Sequence, residues 1–259
     1  MLALVLSGGG TKGLAHIGVL KAFEEQGIVP DVIVGCSIGA LIGSMYAAGK
    51  NATYMMETAH KIELYKMLDP TFSKLGFMKG EKIIDMLKAI VPVSEFEQLK
   101  IPLYINAFDI DKEKEKIFSR GDLLSAVRAS ISVPGVFIPE KIGKARYIDG
   151  GIVSNVPFHA VDADAYIIVD VMKHKPKKND TAYEILFNSI LYTQEALAKE
   201  QLKSLTKPYV MVSPDTADFS FLDPTSKHYD AIIKKGYLET KTLHSKLHKF
   251  FAMYGSSSS

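Results

Sequence analysis

A serine set between two glycines, in Gly35-Cys36-Ser37-Ile38-Gly39, has the form of a nucleophile elbow. There a serine occupies a tight strand-to-helix turn, and small flanking residues let strand and helix approach closely. The expected context is present, with the short apolar run Asp31 to Val34 before it and the small-residue stretch Ala40 to Ala48 after it. Ser37 would then stand at a helix N-terminus, where free N–H groups and the helix dipole favour developing negative charge. A purely structural βα turn would carry the same pattern. Cys36 is intrinsically the better nucleophile, but it precedes the tip of the elbow. Its side chain is expected to point back into the packing, as unpaired cysteines mostly do.

A second loop, Gly8-Gly9-Gly10-Thr11-Lys12-Gly13, follows the apolar run Leu2 to Leu6 and can be read three ways. As a dinucleotide fingerprint it needs an acidic residue ending the next strand, yet Asp31 precedes that strand. As a phosphate loop it has Gly8 and Gly13 correctly spaced but Leu14-Ala15 where Lys and Ser or Thr should follow. As an oxyanion loop it needs only free N–H groups at a strand end beside the nucleophile, which two adjacent parallel strands would supply. A merely tight glycine turn is the remaining reading.

Asp149, in Asp149-Gly150-Gly151, is an ordinary turn residue if taken alone. Beside Ser37 it becomes a candidate base. Among His16, His60, His159, His174, His228, His244 and His248 the sequence shows no evident pairing with a carboxylate, and His159, which follows the aspartate, is the best placed. His244 and His248 are four apart on a helix but lack a third ligand, so no metal is expected.

The elements that must position these groups follow from the periodicity. Leu2 to Leu6 reads as a strand, and Leu14, Ile17, Leu20 and Phe23 fall at helical spacing up to Gly27. Two successive strand–turn–helix units imply a parallel sheet with right-handed crossovers. A helix from Asn51 to about Leu68 precedes a loop over 69–80, and another helix runs from Glu81 to Ile90. Ser94 to Glu97 has capping-box form. Hairpins are expected over 102–118 and over 137–148, the first around a charged turn at 109–114. Helices are expected at Leu123 to Ser130, within Ala182 to Leu205, and as one terminal helix from about Ser226 to Phe251. Strands are expected at Ala165 to Val171 and Tyr209 to Val212.

The loop over 69–80 carries Phe72, Leu75, Phe77 and Met78 with Lys74 and Lys79. It reads as a cover for an acyl chain in an apolar cleft, with Lys74 and Lys79 facing anionic head groups, as simple core packing, or as a contact with another subunit.

Composition narrows the function classes. With 31 basic and 29 acidic side chains the 259 residues carry a formal +2, too little to attract nucleic acid. The basic run at Lys173 to Lys178 lacks aromatic neighbours for base stacking and reads as a solvated loop, or more weakly as an anchor for anionic lipid. One cysteine excludes an internal disulfide framework and suits a reducing compartment. No apolar stretch approaches the roughly 18–20 residues that span a bilayer, and the N-terminus has no signal-peptide form. A cytoplasmic protein is expected, with contact to a membrane surface left open. The sequence carries no sign of its oligomeric state.

Taken together, Gly8 to Gly13, the elbow at Gly35 to Gly39 and Asp149-Gly150-Gly151, in this order and each at a strand end, resemble the patatin-like phospholipases. Arg128 to Pro139 is similar to a further segment of that family, with Ala129-Ser130, Pro134 and Phe137-Ile138-Pro139, and Gly236-Tyr237 also fits. An ordinary α/β-hydrolase, by contrast, reaches its elbow only after several strands.

The resemblance implies an α/β fold, a three-layer α/β/α sandwich with a mainly parallel central sheet. It implies one acyl-hydrolase domain over 1–254 followed by a flexible tail at 255–259. It also implies a Ser–Asp dyad without histidine, with Ser37 as nucleophile and Asp149 as base. The oxyanion hole would come from Gly8, Gly9, Gly10, Thr11, Lys12 and Gly13, with Lys12 at the family's basic position. The expected substrate is a lipid or fatty-acyl ester, with no cofactor. Two rivals remain from the residues: an acyltransferase or thioesterase using the same dyad, and a non-catalytic nucleotide-binding regulator built on Gly8 to Gly13.

Overall fold

The computed structural model describes residues 1–61, 69–71, 76–175, 181–223 and 225–255. Its sheet is built from β1 (Leu2–Leu6), β2 (Val32–Gly35), β3 (Leu103–Asp109), β4 (Lys114–Phe118), β5 (Glu140–Ile142), β6 (Ala145–Asp149), β7 (Ala165–Val169) and β8 (Tyr209–Val212). In the order β3-β2-β1-β7-β8 five strands run parallel, as the repeated strand–turn–helix pattern requires. At the β3 edge the sheet turns antiparallel, with β4 and β6 both pairing with β3 and β5 pairing with β6.

Around the sheet lie α1 (Ala15–Gln26), α2 (Ile38–Ala47), α3 (Ala52–Lys61), α4 (Glu81–Ile90), α5 (Leu123–Ser130), α6 (Ala182–Leu202), α7 (Tyr229–Thr242) and α8 (His244–Tyr254). Every residue of β1 is buried, so its alternate side chains feed two cores. Leu2, Leu4 and Leu6 pack with α1, α2 and α7 on one face. Ala3 and Val5 pack on the other with Phe158 and with Ala198 of α6. A strand buried on both faces is what an all-apolar run predicts, and the result is the expected α/β/α layering. Helices α1 and α7 touch at Gly18 and Gly236, where an added Cβ would lie 1.9 Å from a backbone carbonyl of the facing helix.

Several boundaries differ from the sequence reading. The terminal helix is two, because Leu243 (φ −93°, ψ 5°) turns the chain and its N–H closes on the Thr240 carbonyl. That turn carries Leu247 into the core. The capping box sits one residue later, at Glu95 and Gln98, since Glu97 is occupied by the Gly121 N–H. The second hairpin begins only at Glu140, because Phe137 and Ile138 belong to another ladder. There Phe77 and Met78 donate to the Val136 carbonyl and Ile138 donates to Met78. The segment around residues 76–79 is therefore tied down along residues 136–138. Phe72, Lys74 and Leu75, with residues 62–68 of the helix expected from Asn51 to about Leu68 and 256–259 of the expected tail, lie outside the described residues.

Candidate active site

The register of the sheet brings three chain segments to one place. β1 and β2 are parallel neighbours with Leu6 opposite Gly35, so the glycine loop and the elbow leave the sheet side by side. Gly35 also pairs with Ile105, and β3 runs on beyond that level to Asp109. β6 returns antiparallel along this extension, so that Asp149 pairs with Ala107. The aspartate thus reaches the elbow from the opposite chain direction, at the carboxyl ends of the parallel strands, where open α/β sheets hold their ligands.

Ser37 has φ 53° and ψ −123°, a conformation that L-residues rarely adopt. Such strain persists only where surroundings enforce it. Here the Ser37 N–H donates to Ser130 Oγ at 2.8 Å, and Gly39 packs so tightly that a Cβ would lie 2.3 Å from the Leu6 carbonyl oxygen. Ser37 and Asp149 are both buried and line the same recess. Asp149 Oδ1 accepts from the Gly151 N–H at 2.8 Å and from Cys36 Sγ at 3.8 Å. Burial pushes the Asp149 carboxyl up to about 6, against the opposing pull of Ser37, Gly151 and Cys36. Burial, and then the charges of Asp149 and Glu115, push the Cys36 thiol well above its ordinary range. Cys36 is therefore a protonated donor to Asp149, turned inward as its place before the tip predicts.

The glycine loop divides its donors. The Gly8, Thr11 and Lys12 amides bond to the carbonyls of Asn155, Phe221 and Gly9. Those of Gly9 and Gly10 have no acceptor among the described residues. Neither has the Ile38 amide, the first N–H of α2, which sequence reasoning did not single out although first-turn donors are always left over. Thr11 Oγ1 accepts from the Asp223 N–H, and Gly13 packs against Ile38. Lys12 turns away, its buried ammonium bonding to the Lys173 carbonyl.

No histidine lines either space that reaches Ser37, among the described residues. His159 does have a carboxylate, Glu115 at 2.7 Å, a pairing 44 residues apart that the sequence could not show. That bond holds His159 above its ordinary range. His16 is sealed under the loop with Nε2 2.9 Å from the Ser7 carbonyl oxygen, and burial lowers it to about 4, so it is neutral.

Two spaces meet at Ser37. A recess of about 10 Å³, lined by Gly8, Gly9, Ser37, Asp149, Asn155 and Gln194, has room for about one water-sized group. The other is a cavity of about 750 Å³ with almost wholly apolar walls, including Ile38, Met45, Met55, Ile83, Phe137 and Tyr229. Phe77 and Met78 line it too. A serine hydroxyl, a buried carboxylate, amides without acceptors among the described residues and an apolar chamber are the groups that acyl transfer to a serine uses.

Comparison with known proteins matches residues 4–162 to the family described as patatin-like phospholipase. An uncharacterised NTE family protein of Mycobacterium tuberculosis is 37% identical over 175 residues, covering 66% of this chain and 49% of its own length. Lysophospholipase nte1 of Aspergillus fumigatus is 32% identical over 179 residues, covering 66% of this chain and 12% of its own. The chain thus spans about half the length of the mycobacterial relative and a smaller part of the fungal one. Among solved structures, VipD from Legionella pneumophila superposes with a TM-score of 0.62 at 14% identity, over 95% of this chain and 66% of that one. The likeness to VipD is one of fold.

Proposed function

The chain belongs to the patatin-like phospholipase family, and on that premise we propose that it is a lipid acyl hydrolase working through a Ser37–Asp149 dyad. The observation that carries the reading is that buried Ser37 and Asp149 line one water-sized recess, with Ser37 also opening on a large apolar chamber.

The acyl chain of the substrate lies in the chamber, where each buried CH₂ contributes up to about 0.8 kcal/mol. Ser37 Oγ attacks the ester carbonyl carbon while its proton passes to Asp149, and the carbonyl oxygen becomes an oxyanion. The Gly9, Gly10 and Ile38 amides are the donors available to it. Collapse breaks the bond to the alcohol, which leaves with the proton from Asp149, and Ser37 is acylated. Water in the recess then gives a proton to Asp149 and attacks the acyl carbon. The second collapse releases the fatty acid and returns the proton to Ser37. A carboxylate raised to about 6 is mostly ionised at neutral pH yet more basic than an exposed one.

The size of the recess favours water over a bulkier acyl acceptor. Lys12, turned onto the Lys173 carbonyl, argues against a phosphate cradle in the glycine loop. We take residues 1–254 as one acyl-hydrolase unit, and its single cysteine suits the reducing cytoplasm.

Ser37→Ala and Asp149→Asn should each abolish hydrolysis of fatty-acyl esters with the fold retained. The double variant should be scarcely worse than either single, since the two act as a unit. A fluorophosphonate should label the wild type at Ser37. Undiminished turnover by folded Ser37→Ala overturns the proposal.

A further inference from the structure

The buried residues of α6 are Leu191, Gln194 and Ala198, spaced as one stripe of the helix. Such a stripe is ordinarily apolar throughout, and glutamine is mostly found exposed. Gln194 is nevertheless only 8% exposed, and its amide makes no hydrogen bond among the described residues. Gln201, about two turns further along α6, is the contrast. Its Nε2 donates to the Val153 carbonyl at 2.9 Å and its Oε1 accepts from Ser154 Oγ at 3.1 Å. Gln201 thus fastens α6 over the turn that follows Asp149, and Gln194 is left lining the recess beside Ser37. A buried amide without a partner is destabilising and calls for an explanation.

The recess supplies one. The Cβ that Gly151 lacks would stand 3.0 Å from Gln194 Nε2, 3.0 Å from Asp149 Oδ1 and 3.2 Å from Asn155 Oδ1, so three polar atoms surround one small space. Asn155 is buried as well, and its side chain makes only one long bond among the described residues, from Nδ2 to the Gly8 carbonyl at 3.5 Å. Its Oδ1 accepts nothing there. A water held in a protein needs roughly two to four polar partners, and these three atoms are of the right kinds.

We propose that Gln194 is the water-positioning residue of deacylation, holding in this recess the water that hydrolyses the acyl-enzyme. The assignment rests on the Ser37–Asp149 reading above and extends it to a residue outside the stretch 4–162 that matches the family. A water has two hydrogens and two lone pairs. One hydrogen goes to the Asp149 carboxylate and the other to Asn155 Oδ1, while the Gln194 amide donates to one lone pair. The second lone pair is left for the acyl carbon on Ser37, which lines the same recess. As the new C–O bond forms, the first hydrogen passes to Asp149 as a proton and the carbonyl pair moves onto oxygen. Collapse then breaks the bond to Ser37 Oγ, which takes the proton back from Asp149. Gln194 and Asn155 exchange no proton. They fix the orientation of the water, so Gln194 acts in deacylation and not in acylation, where no water takes part.

The test is pre-steady-state hydrolysis of p-nitrophenyl butyrate by the full chain and by Gln194→Met, which keeps the length of the side chain without its amide. The burst of p-nitrophenol reports acylation and the linear phase reports deacylation. Mass spectrometry of the quenched protein, with peptide mapping, follows the butyryl group on Ser37. Gln194→Met should keep the burst rate while the linear phase slows by a factor of order ten or more. The butyryl group should accumulate, and kcat and KM should fall together so that kcat/KM is held. The melting temperature should equal or exceed that of wild type, because an apolar group of similar shape replaces an unpartnered buried amide. An unchanged linear phase, a burst slowed as much as the linear phase, or a melting temperature below wild type overturns the proposal and leaves the dyad standing. Turnover by wild type with no butyryl group on Ser37 would bring down the dyad reading and this assignment with it.

Discussion

Cys36 Sγ lies 3.8 Å from Oδ1 of Asp149, so the residue preceding the elbow serine holds the carboxylate that would activate that serine. The thiol is buried and kept protonated by its surroundings, which makes it a donor and not a competing nucleophile.

That relationship sets a pH profile. With Asp149 as base, kcat/KM should rise with pH through an apparent pKa near 6. The Cys36 bond pulls that pKa down, so Cys36→Ala should move the acid limb to higher pH while largely preserving the plateau rate. An unmoved limb would show that the sulfur only fills space, and a lost plateau would restore Cys36 as a nucleophile.

Stability should carry the same signature with a definite sign. Asp149 titrates near 3.8 when unfolded and at about 6 in the fold, so the fold prefers its protonated form. Its contribution is fully present below about pH 3.8 and is lost as pH rises through about 6, amounting to roughly 3 kcal/mol at about 1.36 kcal/mol per unit. Asp149→Asn stays neutral throughout. It should therefore melt above wild type at pH 8, by a margin that fades toward pH 4. A margin independent of pH would show that burial does not govern this carboxylate.

Much of the site was legible because its signals are local. A serine between glycines after an apolar run announces an elbow, and the positive φ of Ser37 is its direct consequence. Asp149 was legible only as a turn and, through the family likeness, as a base; its approach depends on β6 running back along β3, which no local spacing encodes. Long-range pairs stayed hidden for the same reason, among them Cys36 with Asp149 and Glu115 with His159. Lys12 fits the motif by position, yet its direction is set by a carbonyl 161 residues away. The break at Leu243 has neither proline nor glycine to mark it and follows from the seat of Leu247 in the core.

Arg128 should prove the fastener of the chamber wall. It is 1% exposed, and its guanidinium donates to the carbonyls of Gly80 at 3.2 Å and Lys79 at 2.7 Å and to Ser132 Oγ at 2.5 Å. Arg128→Met keeps the length but strips these buried acceptors of their donor, a loss of order 3 kcal/mol in urea unfolding. Amide exchange at Phe77, Met78 and Ile138 should quicken more than in the sheet. Lysine, with a compact ammonium in place of a planar fork, should not rescue it. Uniform acceleration across the protein would reduce Arg128 to a general core residue.

The glycine loop offers the sharpest separation of catalysis from folding. Gly10 has φ +54°, and a Cβ there would lie 2.2 Å from the Phe221 carbonyl oxygen, which accepts the Thr11 N–H. The neighbour that forbids a side chain is the Phe221 backbone. Gly10→Ala should displace the loop that presents the Gly9 and Gly10 amides, lowering kcat by a factor of order 10² or more. Gly27 is the matched control, also left-handed at φ +65° but with nothing within 4 Å of its Cβ position. Gly27→Ala should cost about 1 kcal/mol of stability through the same backbone penalty and leave kcat unchanged. Equal losses of kcat in the two variants would mean that the glycine loop acts through the fold and not through its amides.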